Sequence, residues 1–132
     1  MTKSSMRFDS LRERYAGSFA SKRAALAQAW RAFADTGDPN SARALQVLAH
    51  RLAGSAPTYG YEALGAHAGV VDRVLADWCL AAPSTRESTA ELLLRLAAPV
   101  EALIDSLAQH AADASDASDA SEAGPDGSAP GP

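Results

Sequence analysis

Leu45-Gln46-Val47-Leu48-Ala49-His50-Arg51-Leu52-Ala53-Gly54-Ser55-Ala56 is the stretch on which the reading of this chain turns. Leu45, Leu48, Ala49, Leu52 and Ala56 recur every three or four residues, which is one face of an α-helix. Asp38-Pro39 upstream reads as an N-cap followed by a first helical residue, and Pro57-Thr58-Tyr59-Gly60 downstream reads as a turn. The helix is therefore expected over about Pro39 to Ala56. At about 100° per residue, His50 falls roughly 130° from the mean direction of the apolar face. It is expected to face solvent in mid-helix. Arg43, Val47, His50 and Gly54 then form one surface strip, with Val47 an exposed apolar residue. Gly54 inside a helix costs about 1 kcal/mol relative to alanine. A bare stretch of backbone beside an exposed imidazole suggests close approach by another surface.

The same spacing extends in both directions. Phe8, Leu11, Tyr15, Phe19, Leu26, Trp30 and Phe33 share one face of a helical region from about Phe8 to Ala34, which Gly17-Ser18 divides into a short lead helix and a longer one. Gly37 supplies the C-terminal stop. A third helix, about Tyr61 to Leu80, turns Leu64, Ala68, Val71, Leu75 and Trp78 inward. Pro83 closes that region, and Ser84 with Glu87 gives a capping-box pattern for a fourth helix. Its stripe is Leu92, Leu96, Val100, Leu103 and Leu107, with Pro99 expected to kink it. No run alternates as a strand would. The expected architecture is all-α: an up-down-up-down four-helix bundle over residues 1–110, with a short N-terminal lead helix. Residues 111–132 run Ala-Asp-Ala-Ser-Asp and then Gly/Pro/Ser. They have almost no large apolar side chain to offset the entropy of ordering, so a disordered tail is expected.

Charge and composition narrow the function classes. The chain's formal net charge is −4, but residues 1–110 hold 12 Lys/Arg and 11 Asp/Glu, a net +1, and five acids fall in the tail. A near-neutral bundle offers no electrostatic reason to expect nucleic acid or an anionic membrane as partner. Cys79 is the only cysteine, which excludes an internal disulfide and a Cys-rich zinc site. No apolar run has the length of a signal peptide core or a membrane span, so a cytoplasmic location is expected. No metal site or cofactor is expected: no Glu-x-x-His pair stands at ligand spacing, and there is no Walker A loop or kinase signature.

His50, Leu52, Gly54, Ser55 and Gly60, in their helical setting, resemble the phosphoacceptor segment of histidine-containing phosphotransfer (HPt) domains. The family pattern is a histidine, a leucine two residues on, a glycine four residues on, a small residue after it, and a second glycine opening the next helix. In helix order the resemblance covers about residues 8–108, and its specific part covers 45–75. It implies that His50 accepts a phosphoryl group from a receiver-domain aspartate and passes it to another receiver. The partners implied are the receivers of a hybrid histidine kinase and a response regulator. The chain would be a carrier, expected to be monomeric, without ATP-dependent kinase activity, and the magnesium of the transfer would belong to the receiver. Many HPt domains carry a lysine three residues after the histidine; here that position is Ala53. Gln46, one turn before His50, is a candidate hydrogen-bond donor, and Arg43 and Arg51 are candidate contacts to phosphate or to an acidic receiver surface. Two other readings stay open: an HPt-like adaptor that binds a receiver or kinase without being phosphorylated, and an unrelated helical adaptor in which His50 is incidental.

The remaining candidates are assigned no chemistry. His67 is expected near the core edge of its helix, and His110 at the end of the fourth helix, where a cation suits the helix dipole. Gly65 and Gly69 are expected to serve close helix packing, and Asp72 and Arg73 to lie on a solvated face.

Overall fold

The computed structural model describes the backbone of residues 3–128 and the side chains of residues 7–116. Among the described residues there are helices and no strands. The order is α1 (Lys3–Ala16), α2 (Phe19–Thr36), α3 (Pro39–Ser55), a single 3-10 turn (Pro57–Tyr59), α4 (Glu62–Leu80) and α5 (Thr89–Ser128).

The breaks follow from local chemistry. Gly17-Ser18 separates α1 from α2, as their spacing suggests. Gly37 ends α2 in the left-handed region at φ 65°, and its N–H returns to Phe33 O at 2.7 Å. One residue later the Asp38 carboxylate accepts the Asn40 N–H at 3.1 Å, and Pro39 opens α3. Gly60 stands at φ 89° after the 3-10 turn, the second place where a left-handed conformation reverses the chain. The last helix starts later than the Ser84/Glu87 pattern suggests. Ser88 is its cap: Ser88 Oγ accepts the Glu91 N–H and donates to Glu91 Oε1, both at 3.2 Å. Residues 81–88 are used differently. Arg86 donates to the Cys79 and Ala81 carbonyls at the end of α4 and stacks its guanidinium over Trp78, while Trp78 Nε1 donates to Glu87 O at 2.9 Å.

Helix α2 packs on α3, α3 on α4, α4 on α5, and α5 back on α2. The core between them is apolar: Phe19, Leu26, Phe33, Ala42, Leu45, Ala49, Leu52, Ala56, Leu64, Ala68, Val71, Leu75, Trp78, Leu92, Leu96, Val100, Leu103 and Leu107 are all buried. Each fully buried Leu or Phe contributes about 1.5–3 kcal/mol relative to an exposed one. No polar or charged residue is fully buried among the described residues. Contacts at the ends show how the helices align. Phe19 early in α2 meets Tyr61 before α4 and His110 midway along α5, whereas Phe33 late in α2 meets Trp78 late in α4.

Three expectations are corrected. Phe8 and Leu11 are not core residues. They remain 44 % and 40 % exposed, because α1 lies at one end of the molecule and contributes a lid of aromatic contacts, with Phe8 stacked on Tyr59. Tyr15, Trp30 and Leu48 are half-buried at the rim of the core. The chain also does not lose its helix at residue 110: α5 continues to Ser128, and Ala111 packs against the core. The physical reason is that alanine has the highest helix propensity, so an Ala-rich segment can extend a preformed helix without burying a large side chain. The side chains of residues 117–128, and residues 129–132 altogether, lie outside the described residues. Helix α5 also runs through Pro99.

Candidate functional site

Helices α3 and α4 share a close seam, and the site lies along it. At one end a Cβ on the buried Gly65 would stand 2.7 Å from Pro57 Cγ, so only glycine lets the turn after α3 close onto α4 there, with Ala53 O at an ordinary 3.6 Å. Further along, Asp72 of α4 meets Gln46 and His50 of α3. Residue numbers rise along one helix as they fall along the other, so the helices are antiparallel at this seam.

Asp72 is the centre of the arrangement. His50 Nδ1 lies 3.0 Å from Asp72 Oδ2, and Gln46 Nε2 donates to Asp72 Oδ1 at 2.6 Å. Gln46 and His50 stand at i and i+4 on α3, which is why one carboxylate can reach both. The Asp72 side chain is only 20 % exposed, whereas the His50 side chain is 71 % exposed. An ionised carboxylate only accepts hydrogen bonds. The proton of neutral His50 is therefore held on Nδ1, and the lone pair is left on Nε2, on the outer side of the ring. Gln46 fixes the other carboxylate oxygen, so Asp72 is oriented before it orients the histidine.

The surroundings leave this imidazole open. Gly54 is exposed, and a Cβ built on it would meet nothing within 4 Å. Arg43 is exposed two turns before His50. Arg51 is exposed too, but it lines a groove between α2 and α3 with Ser21, Lys22, Ala25 and Leu48, away from the α4 seam. Ala53 is half-buried against the core. Val47, expected to be exposed, is half-buried.

No family model, curated protein or solved structure matches this chain.

Four further readings change on the structure. Asp72 is not part of a plain solvated face, since a half-buried carboxylate with two side-chain donors has a defined position. Helix periodicity alone places it with Arg73 on a solvated face. The signal that could have found it is the pairing of Gln46 and His50, one turn apart, with a carboxylate on the facing helix. Gln46 is directed at Asp72, not at the space above His50. His67 is exposed and not at the core edge. His110 is not at a helix end, since α5 continues; its half-buried ring packs against Phe19 and Tyr61. Among the described residues no three His, Cys, Asp or Glu side chains converge where they could hold a metal ion.

The end of α3 is anchored by aromatics that the sequence does not place. Tyr15 Oη and Ser55 Oγ are 2.6 Å apart, and Tyr15 stacks on Tyr59 at 4.4 Å. Burial raises the Tyr15 pKa above the usual tyrosine value, and burial lowers that of Lys22, whose ammonium lies over the Tyr15 ring. Arg12 Nε donates to Tyr59 O at 2.7 Å and its guanidinium lies over Tyr61. This cluster holds Ser55, and with it the adjacent Gly54, on a rigid support.

Proposed function

We propose that this chain is a histidine phosphotransfer protein of a multistep phosphorelay, with His50 as phosphoacceptor and Nε2 as the attacking atom. One observation carries the reading: an exposed imidazole in mid-helix whose Nδ1 is held by an oriented carboxylate, beside an uncovered glycine. The residues that resemble the HPt segment add to it. The four main helices are read as the up-down-up-down bundle of that family, and the ring of helix contacts supports this.

The chemistry balances without an external proton or cofactor. The Nε2 lone pair attacks the phosphorus of an aspartyl phosphate on a receiver. The N–P bond forms as the P–O bond to the aspartate breaks, and the leaving carboxylate takes that electron pair. His50 becomes a phosphoimidazolium that keeps its Nδ1 proton, and Asp72 accepts the hydrogen bond from that cation. Transfer to a second receiver reverses each step. A carrier of this kind needs neither ATP nor a metal of its own. Its partners are the receiver domains of a hybrid kinase and a response regulator, and it works as a cytoplasmic monomer. No helix among the described residues is long and apolar enough to cross a membrane.

The test is label transfer from a panel of phosphorylated receivers. The wild type should take up acid-labile label, because phosphohistidine is acid-labile. His50→Gln should keep its helical content and take up none. Receiver binding without any label would favour the non-phosphorylated adaptor, for which Ala53 is the motivating residue; label that persists in His50→Gln would move the acceptor elsewhere.

A further inference from the structure

A phosphoryl group on His50 would bring about two negative charges next to the carboxylate of Asp72. Like charges so close need a cation, and the family's usual lysine position is Ala53, which has none. Two of the arginines nearest in sequence are poorly placed. Arg43 is two turns from His50, and Arg51 lines the groove between α2 and α3.

Arg73 is better placed. It follows Asp72 on α4 and is exposed. Helical side chains lean toward the N-terminus of their helix, and Arg73 does so over Gly69. Its Nη2 lies 4.0 Å from the point where Gly69 would carry a Cβ. Gly65 meets Ala53 and Pro57, while Asp72 meets Gln46 and His50. Gly69 falls between these levels on α4, opposite the turn of α3 that carries His50. A larger residue at 69 would hold the guanidinium away from the seam. Two positions without a side chain, Gly54 on α3 and Gly69 on α4, thus fall near the level of His50, and a forked cation lies over the second.

We infer that Arg73 is the phosphate-pairing residue of this site: its guanidinium reaches across Gly69 to the phosphoryl group on His50, in place of a lysine at position 53. The inference rests on the phosphoacceptor reading. A guanidinium suits the role because it remains charged and can donate two parallel hydrogen bonds to phosphate oxygens.

The experiment uses phosphoramidate, a small donor whose P–N bond breaks as the His50 Nε2–P bond forms, with ammonia leaving. The full chain is labelled at low and high salt, with helical content followed by circular dichroism. Arg73→Ala should slow uptake about fivefold at low salt, the size expected of one solvent-exposed charge pair. High salt should narrow the gap, since screening weakens exposed pairs. Arg73→Lys should stay within about twofold of wild type, and Ala53→Lys should restore the rate in the Arg73→Ala background. Uptake by Arg73→Ala equal to wild type overturns the inference, as does an equal loss in Arg73→Lys or a loss produced instead by Arg43→Ala or Arg51→Ala. A wild type that takes up no label at all overturns the phosphoacceptor reading itself, and that outcome is separate because it precedes any comparison of variants.

Discussion

Asp72 holds Nδ1 of His50 while Gln46 holds Asp72, so the nitrogen left facing outward, Nε2, is chosen by a carboxylate 22 positions away in the chain. Asn at position 72 would preserve size but not charge, and its amide could face His50 with either its oxygen or its nitrogen. Asp72→Asn should therefore leave the fold intact and slow phosphoryl uptake by about tenfold, the equivalent of one hydrogen bond to a charged acceptor reduced for the exposure of the imidazole. Two-dimensional NMR of the imidazole nitrogens gives the direct check. In wild type the neutral ring should carry its proton on Nδ1, and in Asp72→Asn the two tautomers should mix. An unchanged tautomer together with an unchanged rate would reduce Asp72 to a bystander. At this scale the sequence supplied His50 and Gly54, because each departs from the helical background in a way that a wheel can display. It did not supply Asp72. A carboxylate read as part of a solvated face is unremarkable until its partner across the seam is known.

The pairing of α3 with α4 depends on Gly65 as much as on the leucine stripes. A Cβ at that position would stand 2.7 and 2.8 Å from Pro57 Cγ and Cδ, and a proline ring has little freedom to yield. Gly65→Val should destabilise the protein by about 2–3 kcal/mol, as overpacking at a tight contact does. It should also widen the seam and weaken the His50–Asp72 contact. Gly69→Ala is the matched control: only Arg73 Nη2, at 4.0 Å, approaches the added methyl group, so its melting temperature should be unchanged or raised. Equal melting temperatures for Gly65→Val and wild type would show that the turn at Pro57 adjusts freely. The small-xxx-small spacing of these two glycines suggests close packing at both. Only Gly65 needs the space, because the Pro57 ring closes over it, while nothing but the end of Arg73 comes near Gly69. Likewise the pattern suggests a cap at Ser84, while the packing of Trp78 on Arg86 and Glu87 takes up that segment and moves the start of α5 to Thr89.

Over the whole molecule, four amphipathic helices enclose one apolar core, and α1 with the turn at Tyr59 covers one end. The middle of α5 reaches that end, where His110 packs on Phe19 and Tyr61 and Ala111 reaches the core. Truncation should reveal a boundary. Removing residues 117–132 should change the melting temperature by less than about 2 °C, whereas removing everything from Ala108 should cost about 1–2 kcal/mol, since it strips aromatic contacts from Phe19 and Tyr61. Thermal unfolding of the two truncated chains decides the matter, and a loss already complete in the shorter deletion would place the important contacts beyond residue 116. The sequence by itself determined the helical class, the break at Gly17-Ser18, the stop at Gly37, the turn from Pro57 to Gly60, most of the buried stripe and the outward positions Arg43, His50 and Gly54 of α3. These follow from 3.6-residue periodicity and from backbone conformations that a few residue types dictate locally. Only the tertiary structure decided that Phe8 and Leu11 stay exposed, that His110 is an aromatic packing residue, and that Asp72 joins Gln46 and His50. Each of these depends on which side chain of one helix comes to stand opposite another, and that register is set by the packing of the whole core, which no single helix encodes.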